Sequence, residues 1–228
     1  MAVAQQFMMN NGGASVVVPI AFVQQAANTT ATGDAGLTVS AGSRTNGNTV
    51  FAQVGYDFTA TLTAPTFGGQ AMSLIAFNKD ASNTAAVEIW ARYLDGTETD
   101  NNCYAITDTA SQLSVHVSEW SGLLNAGAES YEDAQRDTTN TLAMVTTGLT
   151  PTSANNLELA AGIYIDGSNQ YSSGPTNSFT RMTPTGGSLF QMETIYRIRT
   201  ADNSGIASDL VLGGSYDWGT VSSAWGGN

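Results

Sequence analysis

VEIWARYL (residues 87–94) sets Val87, Ile89, Ala91 and Tyr93 on one side of an extended chain and Glu88, Trp90, Arg92 and Leu94 on the other. Successive side chains alternate across a strand, so this period predicts β-structure; a helix would repeat its apolar positions every three or four residues. QLSVHVSE (112–119) follows the same rule, with Leu113, Val115 and Val117 expected inward and Ser114, His116 and Ser118 outward, toward solvent. LELAAGIYI (157–165) does so again through Leu157, Leu159, Ala161, Ile163 and Ile165.

Working outward, further strands are expected at Val16–Gln24, Thr49–Phe58, Gln70–Asn78, Thr141–Thr147, Met192–Arg199, Ala207–Gly213 and Thr220–Trp225, separated by turns rich in Gly, Asn, Asp, Ser and Thr. Many short alternating segments with such punctuation predict an all-β, two-sheet antiparallel β-sandwich. Pro19 cannot donate to a ladder, so the first strand is expected at a sheet edge or at a bulge. Residues 1–14 read as an N-terminal arm and 15–228 as a single sandwich domain. The arm is uncharged and carries Phe7, Met8 and Met9, an apolar cluster that calls for a partner surface.

Charged residues make up 11% of the 228 and the net charge is −12, against a usual ~25% charged. The excess acid and the scattering of the six arginines remove the general attraction to phosphate, so no nucleic-acid partner is expected. Cys103 stands alone, so an intrachain disulfide is excluded. The longest apolar run, VVVPIAFV (16–23), is shorter than the ~20 residues a spanning helix needs, and no membrane partner is expected. MAVAQQFMMNNGG has no basic residue ahead of an apolar core, which leads to the expectation of synthesis in a cytosol without export.

Chemistry-bearing residues are sparse. His116, between Ser114 and Ser118, is the one histidine available to a triad, but S-x-H-x-S is also what a serine-rich strand carries without catalysis. Glu88, Glu119, Glu158 and Glu193 fall on expected strands and could be paired as a glycosidase dyad; a solvated strand face is the expected reading. Asp95, Glu98, Asp100 and Asn101, and likewise Glu129, Glu132 and Asp133, supply oxygen ligands without EF-hand spacing and read as solvated loops. No catalytic set, cofactor or metal is therefore expected. Trp90, Trp120, Trp218 and Trp225 are expected in core or rim packing, and Tyr131, Tyr171 and Trp218 are the candidates for stacking on a sugar.

APTFGGQAMSLIA (64–76), VEIWARYLDG (87–96), LSVHVSEWSGL (113–123), NNLELAAGIY (155–164) and DWGTVSSAW (217–225) follow one another in an order that resembles the jelly-roll-like β-sandwich domains of phage structural proteins, loosely shared with bacterial surface proteins. The resemblance implies a non-enzymatic virion protein made in the host cytoplasm. A capsid decoration or cement protein is the expectation, with the major capsid protein or other virion proteins as partners and homo-oligomers formed. Phe7, Met8, Met9, Val16, Val18 and Ile20 are the expected contact residues of the arm and edge strand. A glycan-binding tail or fibre module is the alternative.

Overall fold

The computed structural model describes residues 18–30, 33–125, 127–128, 130–137, 143–145, 149, 151–153, 155–165, 171–200, 209–212 and 216–227; in 130–137, 143–145, 171–172 and 209–212 it describes the backbone only. The expected arm, with Phe7, Met8, Met9 and Val16, lies outside the described residues.

The architecture is an all-β antiparallel sandwich. A five-stranded sheet runs, in spatial order, β1 (Ala21–Thr29), β9 (Leu113–Ser121), β3 (Thr49–Asp57), β7 (Ala85–Tyr93) and β6 (Ser73–Lys79). Facing it is a six-stranded sheet of β10 (Ser130–Asp137), β18 (Trp218–Gly226), β12 (Asn156–Tyr164), β16 (Gln191–Arg199) and β14 (Thr180–Arg181), with β15 (Thr185–Gly186) also paired to β16. These two sheets are the sandwich that the alternation predicts, and its all-antiparallel pairing is compatible with a jelly-roll-like domain. A four-stranded sheet of β2 (Asp34–Ser40), β8 (Asn102–Ser111), β4 (Leu62–Phe67) and β5 (Gln70–Ala71) covers the other face of the five-stranded one. Three short strands, β11 (Ala143–Val145), β17 (Asp209–Leu212) and β13 (Tyr171–Ser173), form a fourth sheet.

The five-stranded sheet is thus a middle layer, and along its central strands β9, β3 and β7 both faces are dry. Phe51, Val87, Ile89, Ala91 and Trp120 meet Leu157, Leu159, Ile163, Met192 and Trp225 on one side. Val50, Val54, Ala86, Trp90, Val115 and Val117 meet Leu37, Val39, Phe67, Cys103 and Ala105 on the other. VEIWARYL therefore alternates between two cores rather than between core and water, and β7 is buried from Ala85 to Ala91. The solvent-facing position expected for Ser114, His116 and Ser118 is corrected by the same fact, since all three are fully buried between β9 and the six-stranded sheet. Burial also moves the Cys103 thiol up to about 12, which leaves it protonated and inert.

The first strand starts later than expected. Pro19 lacks an N–H, and pairing with β9 begins at Ala21 and breaks register between Phe22 and Gln24. Its edge position is as expected. Ile20, expected as a partner contact, is instead 5% exposed and belongs to the core around Trp120 and Leu157. Val18 is 45% exposed and remains available at the surface. The turn from β6 to β7 is organised by buried Asp80, which accepts from the backbone N–H of Ser82, Thr84 and Ala85 at 2.8, 2.7 and 2.6 Å.

The two faces of the sandwich approach closely where β18 crosses the end of β6. A Cβ at Gly219 would stand 2.4 Å from the Lys79 carbonyl oxygen and 3.0 Å from the Asp80 nitrogen, both backbone atoms that cannot rotate away. Gly219→Ala is expected to destabilise the fold by about 1–3 kcal/mol through overpacking. A lower urea midpoint at unchanged denaturant slope is the outcome that checks it.

Candidate functional site

The strand-borne carboxylates sit in the interior, each with its own donors. Glu88 is buried between the five- and four-stranded sheets, where Tyr56 Oη donates at 2.8 Å and Trp90 Nε1 at 2.6 Å. Burial pushes its carboxyl above the usual range while those two donors oppose the shift, and burial beside Glu88 pushes the Tyr56 phenol up. Glu119 closes the end of β9, accepting from the Thr45 N–H at 2.9 Å, Asn48 Nδ2 at 2.7 Å and Gln24 Nε2. It ties β1 and the 43–48 loop to the middle sheet. Glu158, on the outer face of the six-stranded sheet, receives Arg197 and, at 3.0 Å, Arg199. Glu193 receives Arg181, yet burial outweighs that ion pair and its carboxyl is raised.

This geometry does not make a glycosidase dyad. The register opposes Glu158 to Arg197, four residues along β16 from Glu193, a rise of ~13 Å. Glu88 and Glu119 belong to a different sheet and turn toward the four-stranded one. The solvated strand face expected for all four acids is corrected to burial: the four-stranded sheet covers Glu88 and Glu119, and Glu158 and Glu193 are buried with their arginines on the six-stranded one.

His116 is held in the dry layer between two glutamines. Nδ1 lies 3.1 Å from the Gln53 side-chain amide and Nε2 2.9 Å from Gln25 Oε1. Burial lowers its pKa to about 4, so the ring is neutral and has one donor and one acceptor. Two amide oxygens could not satisfy it, and Gln53 Nε2 is otherwise unpartnered among the described residues. A turned Gln53 amide resolves both defects: Gln53 Nε2 donates to Nδ1, and Nε2–H donates to Gln25. Neither neighbouring serine touches the ring in the described contacts; the Ser118 hydroxyl accepts from Trp120 Nε1 at 3.0 Å, and that of Ser114 pairs with Thr29 at 2.8 Å. His116 is a structural polar pin between β9, β3 and β1.

The first acidic loop, LDGTETDNN, is knitted by side chains from the loop, from the residues flanking it and from Arg44. Arg92 bonds Glu98 at 2.8 Å and Asp95 at 3.3 Å, Arg44 reaches the Asn101 side chain at 2.8 Å, and Asp100 accepts from the Asn102 N–H and the Tyr104 hydroxyl. The side chains of Glu129, Glu132 and Asp133 lie outside the described residues.

All four tryptophans are buried. Trp218 packs with Ala160, Tyr164 and Ile195 at 4% exposure, so its ring is not available to a sugar. The side chains of Tyr131 and Tyr171 lie outside the described residues.

Among the described residues, two surface features are candidates for contact. One is β1 and the residues just ahead of it, where Val18, Phe22 and Val23 are 45%, 37% and 42% exposed. Phe22 is anchored from beneath by edge-on packing on Trp120, ring centroids 5.2 Å apart, and by stacking on Tyr196 at 5.9 Å. The other is a cleft of about 240 Å³ at the end of the sandwich, lined by Thr49, Ser73, Tyr93, Asn125 and Trp225 among others. The alternation on VEIWARYL placed Tyr93 on a strand but carried no sign of the cleft, which depends on the chain after Leu123 folding back. Comparison with protein-family models, curated proteins and solved structures finds no match to this chain.

Two outcomes follow from the buried charges. An unfolded histidine titrates near 6.5, so below that pH the unfolded chain takes up a proton that folded His116 refuses until about 4. Stability should therefore fall as pH drops from 6.5 to 4, and the wild type should lose of order 3 kcal/mol more than His116→Asn between pH 7 and 4. Urea unfolding of both proteins across that range measures it, the subtraction removing the carboxylates' common contribution. Glu158→Gln removes the carboxylate that the buried Arg197 and Arg199 share and is expected to cost about 3–5 kcal/mol at pH 7, read as a fall in the urea midpoint.

Proposed function

We propose that this chain is a non-enzymatic structural protein of a bacteriophage virion, most specifically a decoration or cement protein seated on the capsid exterior. The observation that carries the reading is the division between interior and surface. The lone histidine and the strand-borne acids are locked into core hydrogen bonds, whereas three of the six exposed large apolar side chains among the described residues, Val18, Phe22 and Val23, cluster next to residues 1–17, with Leu74, Ile106 and Leu124 lying elsewhere in the sequence. Such a molecule has little to offer as a catalyst and a defined place to be held. Partners would be the major capsid protein or neighbouring virion proteins, met in the host cytoplasm where both are made.

The arm supplies the grip in this reading. Buried apolar surface is worth ~25 cal/mol per Å², so a few hundred Å² around Phe7, Met8 and Met9 gives several kcal/mol before ordering costs. The cleft at Tyr93 favours a second reading, a glycan-binding tail or fibre module, because an aromatic ring beside Asn, Ser and Thr side chains suits a sugar.

Deletion of Met1–Gly13 is expected to lower occupancy of purified particles at least about tenfold by quantitative mass spectrometry, the equivalent of ~1.4 kcal/mol. Wild-type occupancy by the truncated chain would remove the arm from the account. Absence of the full-length chain from particles, together with Tyr93-dependent binding on a glycan array, would replace it by the second reading.

A further inference from the structure

We propose that β1 is a self-association edge, and that two copies join β1 to β1 antiparallel about a two-fold axis, fusing their five-stranded sheets into one continuous sheet. The inference rests on the structural reading above only in requiring that the chain acts by contact.

Open strand edges invite pairing, and folded proteins blunt them with charge, proline, bulges or brevity. The other outer strands here follow that rule. β5 and β14 have two residues and β11 and β13 three, while β2 contains Asp34, β6 contains Lys79, and β10 contains Glu132, Asp133, Arg136 and Asp137. β1 has nine residues, AFVQQAANT, and no charge. Its one irregularity lies at the start, between Phe22 and Gln24, and leaves Gln24–Thr29 in unbroken register with β9. Among the described residues no strand pairs with its outer side.

The hydrogen-bond phase shows what that side offers. The Thr30 N–H donates to the Leu113 carbonyl at 2.8 Å. By the alternation of an antiparallel ladder, Asn28, Ala26 and Gln24 then turn their backbone groups to β9, and Gln25, Ala27 and Thr29 turn theirs outward. The Thr29 N–H meets its own neighbour's side chain, Asn28 Oδ1, at 2.9 Å, as an outward donor without a strand partner would.

A second copy is the occupant that charge selects. In a chain of net charge −12 the first ionisable side chain is Asp34, so β1 lies within 33 residues that bring no like charges together. A two-fold axis at Ala27 keeps each face of the sheet continuous, because residues of equal parity meet. Ala27 then exchanges both backbone bonds with the second copy's Ala27, and Gln25 pairs with the second copy's Thr29. Such an isologous contact closes at two copies.

Sedimentation of the full chain at micromolar loading should give twice the monomer mass, and the Gln25 and Ala27 amides should exchange slowly there and quickly after dilution. Ala27→Pro removes an outward donor and no bond to β9, so the folded variant should raise the dimer dissociation constant at least about tenfold. Deletion of Met1–Gly13 should leave the dimer intact. A monomer at all loadings, a dimer whose Gln25 and Ala27 amides exchange freely, a folded Ala27→Pro variant that still dimerises as wild type, or loss of the dimer with the arm would each overturn the proposal. None of these readouts depends on particle occupancy, so the dimer and the virion role can fail separately.

Discussion

The central strands of the middle sheet have no wet face, and most of the molecule's chemistry follows from that constraint. A polar group on β3, β7 or β9 cannot turn to water, and leaving one unpaired in a dry interior costs about 1–3 kcal/mol. Each is accordingly met by another side chain: Glu88 by Tyr56 and Trp90, His116 by Gln53 and Gln25, Glu119 by Asn48, Gln24 and the Thr45 backbone. These bonds run between strands and out to the loops. They fix how β1 and the 43–48 loop sit on the core, which apolar contact alone would leave loosely specified.

The same constraint accounts for the composition. A layered all-β chain of 228 residues buries much of its strand surface, so few positions are left where a charge costs nothing, and only 11% of residues are charged. Each of the five arginines whose side chains are described is drawn into a pair with a buried or loop acid. Thr, Ser and Asn supply many of the other polar positions, at a lower desolvation cost than ions. The uncharged run through β1 is the extreme case, and it coincides with the exposed apolar side chains nearest the N-terminal segment.

Legibility in the sequence tracked side-chain size. Thr49–Asp57, Ala85–Tyr93, Leu113–Ser121, Asn156–Tyr164, Gln191–Arg199 and Trp218–Gly226 carry large alternating apolar residues, and each was marked by them within a few residues. In the four-stranded sheet β5 fell within the expected Gln70–Asn78 and β4 overlapped the strand and glycine turn of APTFGGQAMSLIA, but β2 and β8 were not marked. β8 reads NCYAITDTAS, and its inward face is made of Cys103, Ala105 and Thr107, small residues that give the period-two signal little amplitude. β2 has larger inward residues, Leu37 and Val39, but only those two, too few to set a period. Missing that layer led to the one systematic error in the reading of sites: Glu88 and Glu119 were expected in water, and a covering sheet places them indoors. His116 failed for the parallel reason on the opposite face.

The sequence by itself determined that the chain is all-β and antiparallel, which residues share a side of its long strands, that the first strand lies at an edge, and that the first 33 residues carry no ionisable side chain. Only the tertiary structure decided whether a polar side meets solvent or another sheet. The physical reason is that a period of two is the same for a strand with one wet face and a strand between two layers. What differs is the surface opposite, and here strands distant in sequence supply it: β16 across from His116, and β2, β4 and β8 across from Glu88.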